Sequence, residues 1–403
     1  LNLLHSNPRR LVSAAFPLML IGYLIHYRRI LKFQLLYKGA LSSAIISKMP
    51  VLASQKFYPC PYLLQTYTQS AFCAVRTQSN RDLVHKSEVF EFSSGGNCII
   101  EWLSFKSKQI DYIPNILVLI VPGTNTPDDS AYVEDLSMDL MRNRYKTAMF
   151  MPRVNQKRFL APSKGYLNFE DDLHDAIVRV KESHPDWRLM LLGFSYGGNT
   201  LVNYLAKYPN DKNILAGVSV SNPFDLAKTT KKIFGSIAEY YLLGEIVRKA
   251  QHHREYLESI KDQFSLDVDE MTRCRYSADF ETAFNVKITG YKDLTSYHEG
   301  TMCRDNLEKV THPLLILNAL DDPFVDNTSL PLELHNNNPN VITLLTQRGG
   351  HLGWISGFFK LNRWSTRVIL EYINAVSSTS EIDIQKENIK ARFKSVTKLL
   401  MPI

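Results

Sequence analysis

At 403 residues, with 45% hydrophobic and 22% charged residues, the chain has room for one large α/β domain with an insertion, or for two ordinary domains, and its composition excludes wholesale disorder. Of its 47 basic residues, seven (Arg9, Arg10, Arg28, Arg29, Lys32, Lys38 and Lys48) fall in residues 1–50, which hold no acid; residues 51–403 then balance at 40 basic against 40 acidic, whereas a nucleic-acid-binding protein carries its positive charge on the folded body. Five scattered cysteines, Cys60, Cys73, Cys98, Cys274 and Cys303, show no CxxC pair and no histidine cluster, which argues against a structural zinc site and a disulfide framework, and no fixed-period repeat points to a solenoid.

The chain opens on its most apolar stretch. Leu11 to Tyr27 runs 17 residues without a charge between Arg9-Arg10 and Arg28-Arg29. As a helix it would extend roughly 25 Å, a little under the roughly 30 Å hydrocarbon core, and the flanking arginines could snorkel to make up the difference. The expectation is an uncleaved single-pass membrane anchor over residues 1–38. A cleaved signal peptide and a mitochondrial presequence are the competing readings; no A-x-A cleavage site follows the run, and it is too apolar for a presequence. Residues 39–84 read as a linker or helical lead-in.

From about residue 85 strands alternate with helices. Glu88–Phe92 and Cys98–Leu103 flank Ser94-Gly95-Gly96-Asn97 and predict a β-hairpin. Ile116–Val121, ILVLIV, is an unbroken apolar run of the kind buried on both faces of a parallel sheet. Lys146–Met151, Leu189–Leu192, Leu215–Val220, Leu314–Leu320 and Val341–Leu345 are further strand candidates. Helical patterns occupy Asp171–Glu182, Gly198–Tyr208 and Arg363–Val376. This alternation predicts a mostly parallel, doubly wound α/β sheet over residues 85–380. Residues 223–311 interrupt the rhythm with a mainly helical insertion, read as a lid or cap, in which Ile233, Ile237, Tyr240 and Tyr241 recur at helical spacing. Residues 381–403 form a basic tail with Ile389, Phe393, Val396 and Leu400 on one helical face, read either as a membrane-surface helix or as a docked or frayed end.

The chemistry concentrates at strand ends. Gly193-Phe194-Ser195-Tyr196-Gly197 has the apolar strand Leu189–Leu192 running in and a helix running out, the setting of a nucleophile elbow. A serine hydroxyl needs a base within hydrogen-bond reach and an acid to orient that base. Asn318-Ala319-Leu320-Asp321-Asp322-Pro323 places two carboxylates after one strand, and Arg348-Gly349-Gly350-His351-Leu352-Gly353 places a histidine after the last. In open α/β sheets, sites assemble at these carboxyl ends. Ser195, Asp322 and His351 are the expected triad, with Asp321 read as capping its local turn and Asp326 as a distant third candidate. The backbone amides of Tyr196 and of Thr124, in the loop Val121-Pro122-Gly123-Thr124-Asn125, are the expected oxyanion donors.

At these residues the sequence resembles the membrane-anchored α/β-hydrolase-domain proteins of the "AB hydrolase 4" family. The matching elements are the GFSYGGN elbow with NYL on the following helix, the NALDDPFV acid turn, the GGHLGW histidine turn, Glu170-Asp171-Asp172-Leu173, and Gly290-Tyr291-Lys292-Asp293. The resemblance spans roughly residues 85–376. It implies the α/β-hydrolase fold and an esterase or lipase acting on acylglycerols, phospholipids or medium-chain esters, with no metal or other cofactor, a membrane setting and Ser195, Asp322 and His351 as catalytic residues. Two segments depart from the family pattern: the loop Thr124–Asp129 and the turn Met151-Pro152-Arg153-Val154. Acyl transfer with the same nucleophile and lipid binding on a retained scaffold are the alternatives; no histidine has an aspartate five positions on, so the family's H-x4-D transferase signature is missing.

Overall fold

The computed structural model describes residues 8–77, 82–92, 97–124, 126, 130–152, 169–333 and 338–387. Its apolar runs pair as nine strands: β1 (Gln34–Tyr37), β2 (Leu83–Glu91), β3 (Asn97–Phe105), β4 (Ile116–Val121), β5 (Lys146–Met151), β6 (Arg188–Phe194), β7 (Ile214–Val220), β8 (Leu314–Ala319) and β9 (Val341–Thr346). Among the described residues the sheet order is β1-β9-β8-β7-β6-β4-β5-β3-β2. From β5 to β9 every pairing is parallel; β3 joins β5, β2 joins β3 and β1 joins β9 antiparallel. This is the mostly parallel α/β sheet that the sequence predicts.

Burial on both faces explains the continuous apolar strands. In β4, Val118 and Ile120 join a core with the helices Ala131–Arg142 and Trp364–Ser378. Leu117, Leu119 and Val121 point the other way, into a core with the helices Phe169–Ser183 and Tyr196–Lys207. β5, β6, β8 and β9 carry such alternating sets as well, so a one-residue slip would exchange the two faces and leave both cores mismatched.

The lead-in contributes more than a linker. β1 pairs with β9 at the sheet edge, Gln34 opposite Leu345 and Tyr37 opposite Ile342. The helix Ala40–Ser47 follows, and Ser42 Oγ donates to the carbonyl of Pro339 at 2.7 Å. Phe33 and Phe57 pack on Trp364, with ring centroids 5.8 and 4.9 Å away. A four-residue strand whose partner lies some 300 positions later leaves almost no local pattern to read.

The segment expected to cross a membrane is helical, Pro8–Ile30, but among the described residues no helix is long and apolar enough to cross a membrane. The last turns of this helix are tied to the body: the Tyr23 and Tyr27 hydroxyls donate to the carbonyls of Pro61 and Pro59 at 2.7 and 2.8 Å.

The insertion is helical and has its own core, which includes Leu257, Ile260, Met271, Phe280, Phe284 and Tyr297. The helical pattern at Ile233, Ile237, Tyr240 and Tyr241 is shared between two helices. Gly235 at φ 69° breaks the chain between the helices Leu226–Ile233 and Ile237–His252, and Ser236 caps the second by accepting from the Glu239 amide. Ile237, Tyr240 and Tyr241 then face solvent. The expected hairpin loop at Ser94–Gly96, the turn at Arg153-Val154 and the tail pattern over Ile389, Phe393, Val396 and Leu400 lie outside the described residues.

Candidate active site

Three loops at the carboxyl ends of the strands build the site. After β6 the chain turns into the helix Tyr196–Lys207 with Ser195 at φ 51°, ψ −124°, a conformation costly for a residue with a side chain, on the order of 1–3 kcal/mol. It is held there by its N–H donating to Val220 in β7 at 2.8 Å and by its carbonyl accepting the Gly198 amide at 2.8 Å. Gly197 is obligatory, because a Cβ there would collide with the carbonyl oxygens of Val121 and Pro122 at the end of β4. Ser221, Leu352 and Trp354, which flank the same pocket of chain, also have positive φ, and the Leu352 amide donates to Ser221 Oγ at 3.2 Å. Strain gathers where the three loops meet.

The structure brings Ser195, His351 and Asp322 into one hydrogen-bonded relay. His351 Nε2 lies 3.0 Å from Ser195 Oγ, and Nδ1 lies 2.9 Å from Asp322 Oδ2. The Asp322 side chain is fully buried, whereas that of His351 keeps 14% of its surface open, so the base is reachable and the acid is dry. Asp322 Oδ1 accepts the amides of Phe324 and Val325 at 2.8 and 3.1 Å. Both oxygens thus have partners, which fixes the carboxylate plane and leaves Oδ2 for the imidazole. The Phe324 ring packs on the imidazole at 4.8 Å.

Asp321 and Asp326 do not touch the imidazole in this way. Asp326 caps its own short turn, accepting from the Thr328 amide and hydroxyl at 2.7 and 2.6 Å. Asp321 does not cap its local turn as expected: its Oδ1 accepts the Gly350 amide at 2.8 Å, and Thr66 Oγ1 stands 3.4 Å from its Oδ2. It therefore clamps the acid turn to the histidine turn. Burial is the main cause that raises its pKa to about 6, with the Gly350 N–H and Arg348 opposing and Asp322 reinforcing.

The two segments that carry the expected oxyanion donors both adjoin Ser195. Tyr196 is the first residue of the helix, and Gly123 approaches so closely that a Cβ there would stand 3.0 Å from the Ser195 Cβ. The Thr126 amide donates to Gly123 O at 3.2 Å, and Thr126 Oγ1 meets the Tyr132 hydroxyl at 3.1 Å, which pins the loop that carries Thr124. Residues 125 and 127–129 lie outside the described residues. The Tyr196 side chain leaves the elbow and packs into the cap core. Burial, then the neighbouring Tyr297, pushes its phenol well above the usual range.

Residues without any motif support the relay. Ser70, on the lead-in helix Thr66–Ala71, accepts the His351 amide at 2.9 Å. Gly350, at φ 57°, allows that approach: a Cβ there would press on Ser70 Oγ and Thr66 O, each at 2.7 Å. Lys232, at the end of a cap helix, donates to the carbonyls of Asp322 and Val325 at 2.8 and 2.6 Å. Their signal in the sequence is nil, because each acts through a partner at least 90 positions away. Among the described residues no group of His, Cys, Asp and Glu side chains could hold a metal ion.

The sequence is similar to known proteins over most of its length. The family model Hydrolase_4, described as serine aminopeptidase S33, matches residues 162–340, a span holding the elbow and the acid turn. Phospholipase ABHD3 of Bos taurus is 24% identical over 375 residues, covering 87% of this chain and 90% of that protein. Protein abhd-3.2 of Caenorhabditis elegans is 26% identical over 322 residues, covering 78% and 83%. Monoacylglycerol lipase ABHD2 of Mus musculus is 26% identical over 284 residues, covering 65% and 66%. With the strand order, the strained elbow and these similarities in agreement, the chain has the α/β-hydrolase fold and is similar to α/β-hydrolase-domain proteins.

Proposed function

We propose that this chain is a carboxylic ester hydrolase acting on lipid esters, with Ser195 as its nucleophile. The observation that carries the reading is the continuous relay Ser195 Oγ–His351 Nε2 at 3.0 Å and His351 Nδ1–Asp322 Oδ2 at 2.9 Å. His351 takes the Ser195 proton as Oγ attacks the ester carbonyl. Asp322 holds the imidazole in the tautomer that presents a bare Nε2 and stabilises the cation that forms. The amides of Tyr196 and Thr124 receive the tetrahedral oxyanion; one such donor is worth about 10²–10³ in rate. His351 returns the proton to the departing alcohol, leaving an acyl group on Ser195. Water, deprotonated by the same imidazole, then releases the fatty acid.

Acylglycerols and phospholipids are the substrates of choice because relatives that align over most of this chain or of its catalytic body are named phospholipase and monoacylglycerol lipase. The test is fatty-acid release from a panel of monoacylglycerols and phospholipids by wild type and by Ser195→Ala. The reading expects release by wild type and a loss of at least about 10³-fold in the variant; equal release by both would overturn it.

A further inference from the structure

The histidine turn leads directly to an aromatic tip outside the site. Four residues after His351 comes the short strand Ile355–Ser356, and beyond it Phe358 and Phe359 stand 54% and 95% exposed. Neither ring contributes to a core, yet the tip is well held. The Tyr62 hydroxyl donates to the Phe358 carbonyl at 2.7 Å, its ring meets that of Phe358 edge-on at 5.9 Å, and Phe358 meets Phe359 at 4.7 Å. Tyr62 is itself 54% exposed. A rigidly presented pair of bare phenylalanines beside a tyrosine is a surface built to meet something apolar.

Its surroundings say what. The segment carrying Tyr62 is the one that receives the Tyr23 and Tyr27 hydroxyls through Pro61 and Pro59, and Pro59 bridges to Ser356. The aromatic tip is therefore continuous with the carboxyl half of the helix Pro8–Ile30, where Met19, Ile21 and Ile25 are 65%, 53% and 48% exposed. Residues 8–76 and 352–370, which build this region, contain no aspartate or glutamate. Arg28, Arg29, Lys32, Lys56 and Lys360 are exposed within it. Apolar and aromatic side chains edged by exposed cations match the headgroup zone of an anionic bilayer. A second copy of the chain would bring the same positive charge against itself.

We infer that Tyr62, Phe358 and Phe359 form an interfacial foot that inserts into the headgroup zone of an anionic lipid bilayer and sets the Ser195–His351 site against the surface from which its lipid is drawn. Foot and base share one support. The Gln69 side chain accepts the Ile355 amide at 2.9 Å and donates to Leu63 O at 2.7 Å, while the adjacent Ser70 holds the His351 amide. The inference rests on the lipid-ester reading for its purpose, but the contact itself can be tested apart from catalysis.

The experiment uses the full chain with vesicles of phosphatidylcholine and phosphatidylserine whose acyl chains are brominated. In Phe359→Trp, the added emission, read as the difference from wild type, is quenched by the brominated lipid. The double variant Phe358→Asp/Phe359→Asp loses about tenfold or more in rate on monoacylglycerol embedded in these vesicles and stays within about twofold of wild type on a water-soluble short-chain ester. Unquenched Trp emission overturns the inference, as does a double variant equally active on both substrates. A wild type that cleaves neither ester refutes the hydrolase reading, and the quenching still decides whether the foot touches lipid.

Discussion

Ser70 Oγ accepts the backbone N–H of His351 at 2.9 Å, across 281 positions of sequence. The lead-in, which also supplies the edge strand β1, thereby holds the imidazole-bearing turn in place, and the site is complete only when residues 66–71 are docked.

Ser70→Ala removes the acceptor and leaves the His351 amide without this bond. The loss is worth about 1 kcal/mol, so kcat is expected to fall about three- to tenfold with KM little changed, and Ser70→Thr to recover most of it. Steady-state kinetics on a soluble ester checks this. A rise in KM at constant kcat would assign Ser70 to substrate binding instead.

Lys232 joins the cap to the acid turn through two carbonyls, those of Asp322 and Val325. Lys232→Met is expected to lower kcat by about tenfold, in line with charge-assisted bonds of about 1.5–3 kcal/mol. Lys232→Arg should retain part of the activity. The measurement also reads the cap, since a change confined to KM would place the effect in lipid entry rather than in the posture of Asp322.

Asp321 predicts a pH effect on stability. Its pKa in the folded protein is raised to about 6, chiefly by burial, against an ordinary carboxyl value of about 3.9. The folded state therefore holds this proton more tightly than the unfolded chain, and stability from this group is lost as pH rises through that window. Asp321→Asn stays neutral throughout. It is expected to unfold at higher temperature than wild type at pH 8, by the equivalent of about 1–3 kcal/mol, and to lose that advantage by pH 4. Thermal melts of both proteins from pH 4 to 8 check it.

What the sequence reveals divides along physical lines. Ser195, Asp322 and His351 were legible because each follows a strand with a strong apolar signature, and because the elbow's tight turn restricts its residues to a recognisable pattern. The central strands were legible for the same reason, being buried on both faces. The edge strand Gln34–Tyr37 was not, since four residues set no period and its partner Val341–Thr346 is remote. Asp321 misled because an aspartate before Asp-Pro suits a local cap, whereas its real acceptor role depends on where Gly350 lands in space. The helical character of the cap was legible, but not its break at Gly235, whose positive φ separates Ile233 from Ile237 and leaves Ile237, Tyr240 and Tyr241 facing outward.

The account stands on an activated Ser195, and fluorophosphonate labelling of full-length wild type beside Ser195→Ala tests that most directly. The relay predicts rapid labelling of the wild type, an adduct mapped by mass spectrometry to the peptide containing Ser195, and none in the variant. Folded wild type that resists the probe, or labelling that persists in Ser195→Ala, would contradict it.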